Sequence, residues 1–269
     1  MVISILGCGW YGKALAKALL KNNVIVKGSA TSPEKLQQLS ALGIIPFQVN
    51  FKADSEDYDP EFFKCDILII SIPPKTRQGE AKDYLPKIQR IINVINKHQT
   101  AKVIYISSTA VYGDSNSEVN ELNDPEPDTE SGKTLLEAEN LFKQQTAFKT
   151  TIIRFAGLVG PGRHPGRFFV GKKDIPNGNA PVNLIHLDDC IGITLTVIEQ
   201  DAFGYLINAS SPDHPAKSDF YQQATLQAGL PAPEFISELN NWKLINSVQI
   251  HEVLNYEFKV PVWQNCTFD

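Results

Sequence analysis

The feature that most constrains this chain lies at its start. There Gly7-Cys8-Gly9-Trp10-Tyr11-Gly12 follows the short apolar run Val2–Leu6 and opens a segment of helical periodicity, Tyr11–Asn22. Glycines at that spacing answer three steric demands. The first permits a tight turn, the second lets another group approach the backbone, and the third lets helix and strand pack closely. The helix beginning near Trp10 then offers free amides and the positive end of its dipole, a place suited to phosphate. A second apolar run, Val24–Lys27, supplies the strand–helix–strand context that the motif requires. These residues predict a dinucleotide site, with a pyrophosphate held at Gly7, Gly9, Trp10, Tyr11 and Gly12.

The remainder repeats the alternation. Strands are expected at Ile44–Val49, Asp66–Ser71, Lys102–Ser107, Thr150–Phe155, Val182–His186 and Tyr205–Asn208. Helices are expected near Pro33–Leu42, Glu80–His98, Ser131–Gln145 and Asp188–Gln200. Ile67-Leu68-Ile69-Ile70 and Val103-Ile104-Tyr105-Ile106 are apolar without alternation, as for central strands covered on both faces. The pattern predicts an α/β chain, a Rossmann doubly wound parallel sheet with a smaller, interleaved C-terminal substrate lobe. Residues 1–160 are assigned to the dinucleotide-binding body, joined by strands near 182–186 and 205–208. Residues 161–181 and 211–269 are assigned to the lobe. One stretch, Asp114–Glu130, breaks the rhythm with seven acidic residues, two prolines and no lysine or arginine. It reads as a solvated loop, either functional or a tolerated insertion.

A formal net charge of −5 gives no footprint for nucleic acid or an anionic membrane surface. No apolar run approaches the roughly 20 residues of a membrane span. The four cysteines, Cys8, Cys65, Cys190 and Cys266, form no CxxC pair, so neither a metal site nor a disulfide framework is expected. With no basic, apolar leader at the N-terminus, a reducing cytoplasmic setting is expected. Homodimerisation is left open.

The second strand of such a fold normally ends in an acid that binds the adenosine ribose. Here Val26-Lys27-Gly28-Ser29-Ala30-Thr31-Ser32 contains none before Glu34. Hydroxyls on Ser29, Thr31 and Ser32, with Lys27 or Lys35 nearby, suit a 2′-phosphate, so NADP(H) is expected and NAD(H) is the alternative. The competing reading is that these residues only cap the helix that starts at Pro33.

Further segments resemble a family. Ile106-Ser107-Ser108-Thr109-Ala110-Val111-Tyr112-Gly113 resembles the serine/threonine motif of the extended short-chain dehydrogenase/reductase superfamily, the NAD-dependent epimerase/dehydratase family. Arg154–Gly162 is similar to its nicotinamide-side strand and turn. Val182–Asp189 looks like its NxIHxDD segment, and Ser247–Val260 like its C-terminal helix and extended tail. Gly160-Pro161-Gly162-Arg163-His164-Pro165-Gly166-Arg167-Phe168-Phe169 is most like the atypical YeeZ-like branch. The resemblance implies a dinucleotide-dependent epimerase, dehydratase or reductase acting on an anionic, nucleotide-sugar-like small molecule. Pro73, Ser107 and Gly157 complete the expected cofactor set, and Thr109 joins the expected substrate set.

The chain departs from the family where the chemistry is done. Typical members carry YxxxK, in which the tyrosine is the acid/base and the lysine lowers its pKa. Aligned on Glu137-Ala138-Glu139, Ser131 takes the tyrosine position and Leu135 the lysine position. The resemblance leaves Ser108 to orient a reacting oxygen and Tyr112 as a candidate proton donor. Each has a competing role, Ser108 as a strand-end cap and Tyr112 as packing. Lys133, one turn from the missing lysine, reads equally as a solvated first-turn residue. Arg163, His164 and Arg167 suit a phosphate or carboxylate, or else pair with the acidic stretch. His186, Asp188 and Asp189 are expected to fix a strand-to-helix junction, with one aspartate as helix cap. The remaining alternative is a non-catalytic protein that responds to NAD(P).

Overall fold

The computed structural model describes residues 1–74, 81–264 and 266–268. Its frame is one eight-stranded sheet. In chain order the strands and helices of the first half are β1 (Val2–Leu6), α1 (Trp10–Lys21), β2 (Ile25–Ala30), α2 (Pro33–Ala41), β3 (Ile45–Phe51), β4 (Glu56–Tyr58), β5 (Ile67–Ile70), α3 (Ala81–His98) and β6 (Lys102–Ser108). The second half contains β7 (Ser117–Val119), α4 (Glu130–Lys143), β8 (Lys149–Phe155), β9 (Gly157–Val159), β10 (Leu184–His186), α5 (Leu187–Glu199), β11 (Leu206–Ala209), α6 (Lys217–Gln227), β12 (Lys243–Ile245) and α7 (Gln249–Glu252). The sheet order is β11-β8-β6-β5-β1-β2-β3-β4, parallel except for β4. Order reverses between β1 and β5, which is where open α/β sheets bind their ligands.

The unalternating apolar runs explain why this sheet is central. In β5, Ile67 and Ile69 enter the cluster beneath α1 and α5, whereas Leu68 and Ile70 enter the cluster beneath α3 and α4. Consecutive side chains of a strand point to opposite faces, so both faces must be covered. Burying each such side chain contributes roughly 1.5–3 kcal/mol. A third cluster, with Val159, Val182, Phe220, Tyr221, Trp263 and Phe268, forms the core of the C-terminal part.

Three expectations are corrected. The strand expected at Val24–Lys27 runs on to Ala30, which carries Gly28 and Ser29 inside the sheet. Leu184–His186 does not enter the large sheet. It pairs with Gly157–Val159, because β8 ends at Phe155 and the amide of Ala156 turns to the carbonyl of Ala209. The acidic stretch is not free loop throughout, since β7 within it pairs in parallel with β12. Beyond β7, Glu121 accepts hydrogen bonds from the amides of Asn208 at 2.8 Å and Val248 at 2.9 Å. Residue 80, expected to begin a helix, lies outside the described residues; α3 is described from Ala81. Among the described residues no helix is long and apolar enough to cross a membrane.

Candidate functional site

The glycine turn opens onto a groove of about 1170 Å³ at the reversal point of the sheet. Gly7 holds φ +99°, and a Cβ there would stand 2.6 Å from the carbonyl oxygen of Ser71. A Cβ on Gly12 would stand 2.7 Å from the carbonyl of Gly7, so the turn and α1 touch as closely as backbone permits. Gly9 differs, because no atom lies within 4 Å of its Cβ position. That vacant space lies at the N-cap of α1, which is the cradle a pyrophosphate needs. The residues present therefore fit a dinucleotide.

Groove walls on the adenosine side include Thr31, Lys35, Asn50, Phe51 and Lys52, while Lys13 and Lys17 come from α1 and Lys87 from α3. Pro73 also lines the groove. Five lysines and two aspartates, Asp54 and Asp83, line the groove, a basic lining in an acidic chain. Sequence reading found Lys35 and missed the others. Lys13 and Lys17 were legible as an i, i+4 pair behind the third glycine; nothing local marked Lys52 or Lys87.

Two members of the expected 2′-phosphate set serve elsewhere. Ser29 is buried, and its hydroxyl accepts the amide of Gly7 at 2.8 Å, so it braces the turn. Lys27 donates to the carbonyls of Glu61 at 2.5 Å and Lys64 at 2.7 Å. Thr31 is exposed, and Ser32 stands at the N-cap of α2 without making a side-chain cap bond.

On the other side of the sheet ends, Tyr112 sits in the interior, only 2% exposed. Its hydroxyl donates to the carbonyl of Asn120 at 2.9 Å and accepts from Arg154 at 2.6 Å and Asn208 at 3.1 Å. Burial raises its pKa against the opposing pull of Arg154. This corrects the expectation of a pocket-facing proton donor: the phenol is a member of a buried polar network. Ser107 belongs to the same network and donates to Glu139 at 2.6 Å. Its proton is thus directed to that carboxylate. Glu139 holds Arg154 through two parallel bonds of 2.9 and 2.6 Å, and neither side chain is more than 1% exposed. Sequence reading used Glu139 only as an alignment mark.

Ser108 is half-buried and accepts the amide of Ala110, which leaves its own proton free. Thr109 is buried. The first turn of α4 packs hard on this segment, since a Cβ on Gly132 would meet the carbonyl of Ala110 at 2.2 Å. Thus the Ser131–Lys133 turn adjoins the Ser108–Val111 turn. Leu135 is buried and Lys133 exposed. Gly157 begins β9, where a Cβ would press on Leu184 at 2.7 Å.

Arg163 and Arg167 face different surroundings. The guanidinium of Arg163 lies 5.7 Å from the ring centre of Trp10, whose indole N–H donates to the carbonyl of Pro161 at 2.7 Å. Arg167 and His164 line a second cleft of about 310 Å³ with Gly162, Gln227, Ala228, Leu230 and Phe268. Neither arginine is ion-paired with the acidic stretch among the described contacts, where Asp114 pairs with Lys243 at 3.1 Å. At the β10–α5 junction the cap is His186 itself, whose Nδ1 accepts the amide of Asp188 at 3.2 Å. Asp189 instead anchors the C-terminal segment, accepting from Tyr256, Lys259 and Val260. The expected aspartate cap is corrected accordingly.

The family model described as NAD(P)H-binding matches residues 7–185. Protein YeeZ of Escherichia coli (strain K12) is 34% identical over 265 residues, covering 96% of each chain. A functionally unknown conserved protein from Silicibacter pomeroyi DSS superposes with a TM-score of 0.80 at 22% identity, over 97% of this chain and 94% of that one. UDP-glucuronic acid 4-epimerase from Bacillus cereus, in complex with NAD, superposes with a TM-score of 0.77 at 20% identity, over 96% and 93%. The two superpositions speak for the fold.

Proposed function

The chain belongs to the NAD(P)H-binding family and carries the fold of the extended short-chain dehydrogenase/reductase and epimerase superfamily, and from that premise we propose that it is an NADP(H)-responsive binding protein. The groove above Gly9 takes the pyrophosphate. Thr31, Ser32 and Lys35 take the 2′-phosphate, with Lys52 adding charge from the opposite wall. A phosphate in reach of one or more ammonium groups gains charge-assisted bonds that a bare ribose hydroxyl does not. When bound, the dinucleotide supplies hydride chemistry at its nicotinamide; the residues of this chain supply its binding and orientation.

The observation that carries the non-catalytic half of this reading is the fate of Tyr112. Its hydroxyl is committed to Asn120, Arg154 and Asn208, while Ser131 and Leu135 stand where the alignment puts the acid/base pair. A second reading, as an enzyme on an anionic nucleotide-sugar-like substrate, is favoured by the free proton of Ser108 beside the Ser131–Lys133 turn. Relatives of this fold include an epimerase of UDP-glucuronic acid. On either reading residues 1–160 form the body that holds the cofactor, and 161–181 with 211–269 supply the lobe that faces the second ligand, apart from Ile245, Ile250, Leu254 and Tyr256, which pack into the two cores of the body.

Titration calorimetry with NADPH and NADH tests the first reading, with tighter binding of NADPH expected. Equal or reversed affinities remove the 2′-phosphate assignment, and no heat with either removes the dinucleotide. Turnover of UDP-sugars by the NADP⁺- or NAD⁺-loaded protein, followed by product analysis, would replace the binding reading with the enzymatic one.

A further inference from the structure

One wall of the groove is built from a segment that cannot hold itself in place. The ladder of β5 gives out at Ser71, whose amide donates to the carbonyl of Leu6 at 2.8 Å. Next come Ile72, Pro73 and Pro74. The prolines bring no amide, and each keeps the residue before it in extended backbone. Yet Ser71, Ile72 and Pro73 all line the groove. They also bear on its glycine turn, because a Cβ on Gly7 would stand 2.6 Å from the carbonyl oxygen of Ser71 and 3.0 Å from Cγ2 of Ile72.

What holds the segment is a phenol from another element. Tyr84, in the first turn of α3, is 1% exposed, and its hydroxyl donates to the carbonyl of Ile72 at 2.9 Å. With that proton spent, Tyr105 of β6 donates to the Tyr84 oxygen in turn, at 3.0 Å. Burial raises the pKa of both phenols, so both keep their protons to donate. Resting on the reading of the groove as a dinucleotide site, we infer that Tyr84 is a positioning residue for it. Through the Ile72 carbonyl it sets the wall that backs the glycine turn under the pyrophosphate.

The effect on binding follows from what the carbonyl does without its donor. A buried carbonyl that loses its hydrogen bond is costly, and the chain rearranges to satisfy it. The groove that Ile72 lines offers it water. Turning the peptide that way moves the Ser71 carbonyl and the Ile72 side chain, the two groups that abut Gly7. A dinucleotide then has to restore the first arrangement, and its affinity falls by the fraction of molecules that still hold it. Tyr105 differs in one respect. Loss of its hydroxyl breaks the Tyr105–Tyr84 bond and leaves the Tyr84–Ile72 bond whole.

The test compares Tyr84→Phe with Tyr105→Phe, each short of one buried oxygen, by thermal melts and by calorimetry with NADPH and NADH. Both variants are expected to melt cooperatively at a lowered Tm. Tyr84→Phe is expected to bind both dinucleotides at least about fivefold more weakly, and by the same factor, because they share the pyrophosphate. Tyr105→Phe is expected to stay within about twofold of wild type. A merely structural role would lower Tm in both variants and affinity in neither. Unchanged affinity in Tyr84→Phe, or an equal loss in both variants, therefore overturns the assignment. A loss confined to NADPH overturns the link to the pyrophosphate. Hydrogen exchange on wild type reads the same wall with no substitution: bound NADPH is expected to slow the Ser71 amide at least about fivefold. An unchanged rate overturns the wall as part of the site, even where Tyr84→Phe fails to fold. No heat from NADPH with wild type overturns the groove reading first, and is told apart because it precedes any substitution.

Discussion

Valine in place of Gly9 separates binding from folding. The added carbons enter open space, since nothing lies within 4 Å of the Cβ position, and the backbone there is already extended at φ −79°. As an N-cap, glycine is worth about 1 kcal/mol more than valine. Loss of glycine also restricts the unfolded chain, returning about 0.4–1 kcal/mol. The two nearly cancel, and at roughly 2–4 °C per kcal/mol the ligand-free Tm moves by less than about 2 °C. Binding fares otherwise, because the side chain fills the pyrophosphate's place. Losing one or two charge-assisted bonds of roughly 1.5–3 kcal/mol each lowers NADPH affinity by at least about tenfold to a hundredfold. Gly12→Val is the converse control. Its Cβ would stand 2.7 Å from the carbonyl of Gly7, and overpacking backbone costs about 2 kcal/mol or more, a fall of at least about 4 °C. Thermal melts without ligand and NADPH titrations of both variants decide the matter. NADPH affinity within threefold of wild type in Gly9→Val, or a loss of Tm equal to that of Gly12→Val, refutes the reasoning.

Arg154→Met strands the buried carboxylate of Glu139, so unfolding monitored by circular dichroism should show a loss of about 3–5 kcal/mol. Adding Glu139→Gln should recover part of it, and strict additivity of the two changes would show that the pair is not coupled. Burial lowers the pKa of both His186 and His214, and each leaves a buried Nε2 unpartnered. A lowered folded pKa means that the unfolded chain takes up protons first, so stability is full above about pH 6.5 and falls as pH drops below it. The Tm should decline between about pH 6.5 and pH 5.5, and His186→Asn, which keeps a helix-cap acceptor, should flatten part of that slope. An unchanged slope in that variant would remove His186 from the account.

Much of the frame was legible because it rests on local signals. The glycine spacing, the unalternating apolar strands and the order of motifs gave the sheet, its class and the groove. What stayed hidden depended on partners far along the chain. Ser29 looked like a phosphate ligand because its hydroxyl is polar and well placed in sequence, yet that hydroxyl meets an amide 22 positions earlier. Tyr112 could be read as a proton donor facing the pocket or as packing, and no pattern within the loop announces Arg154, 42 residues on, beneath its ring. The short strand β9, and its pairing with the expected strand at Leu184–His186, escaped for a related reason. Three residues carry too little periodicity to reveal that they pair with each other and not with the large sheet.

The acidic stretch has a consequence for how this molecule meets copies of itself. An open sheet of eight strands ends in two rows of unmet backbone groups, each a template on which another chain can lengthen it. Here one end is only three residues long, and its Glu56 is drawn aside by Arg90 at 2.6 Å. At the other end the outward amide of Asn208 is taken by Glu121. The segment that reads as surplus loop thus covers part of the β11 edge, and an added strand would have to displace Glu121 from the amide of Asn208 before it could pair there.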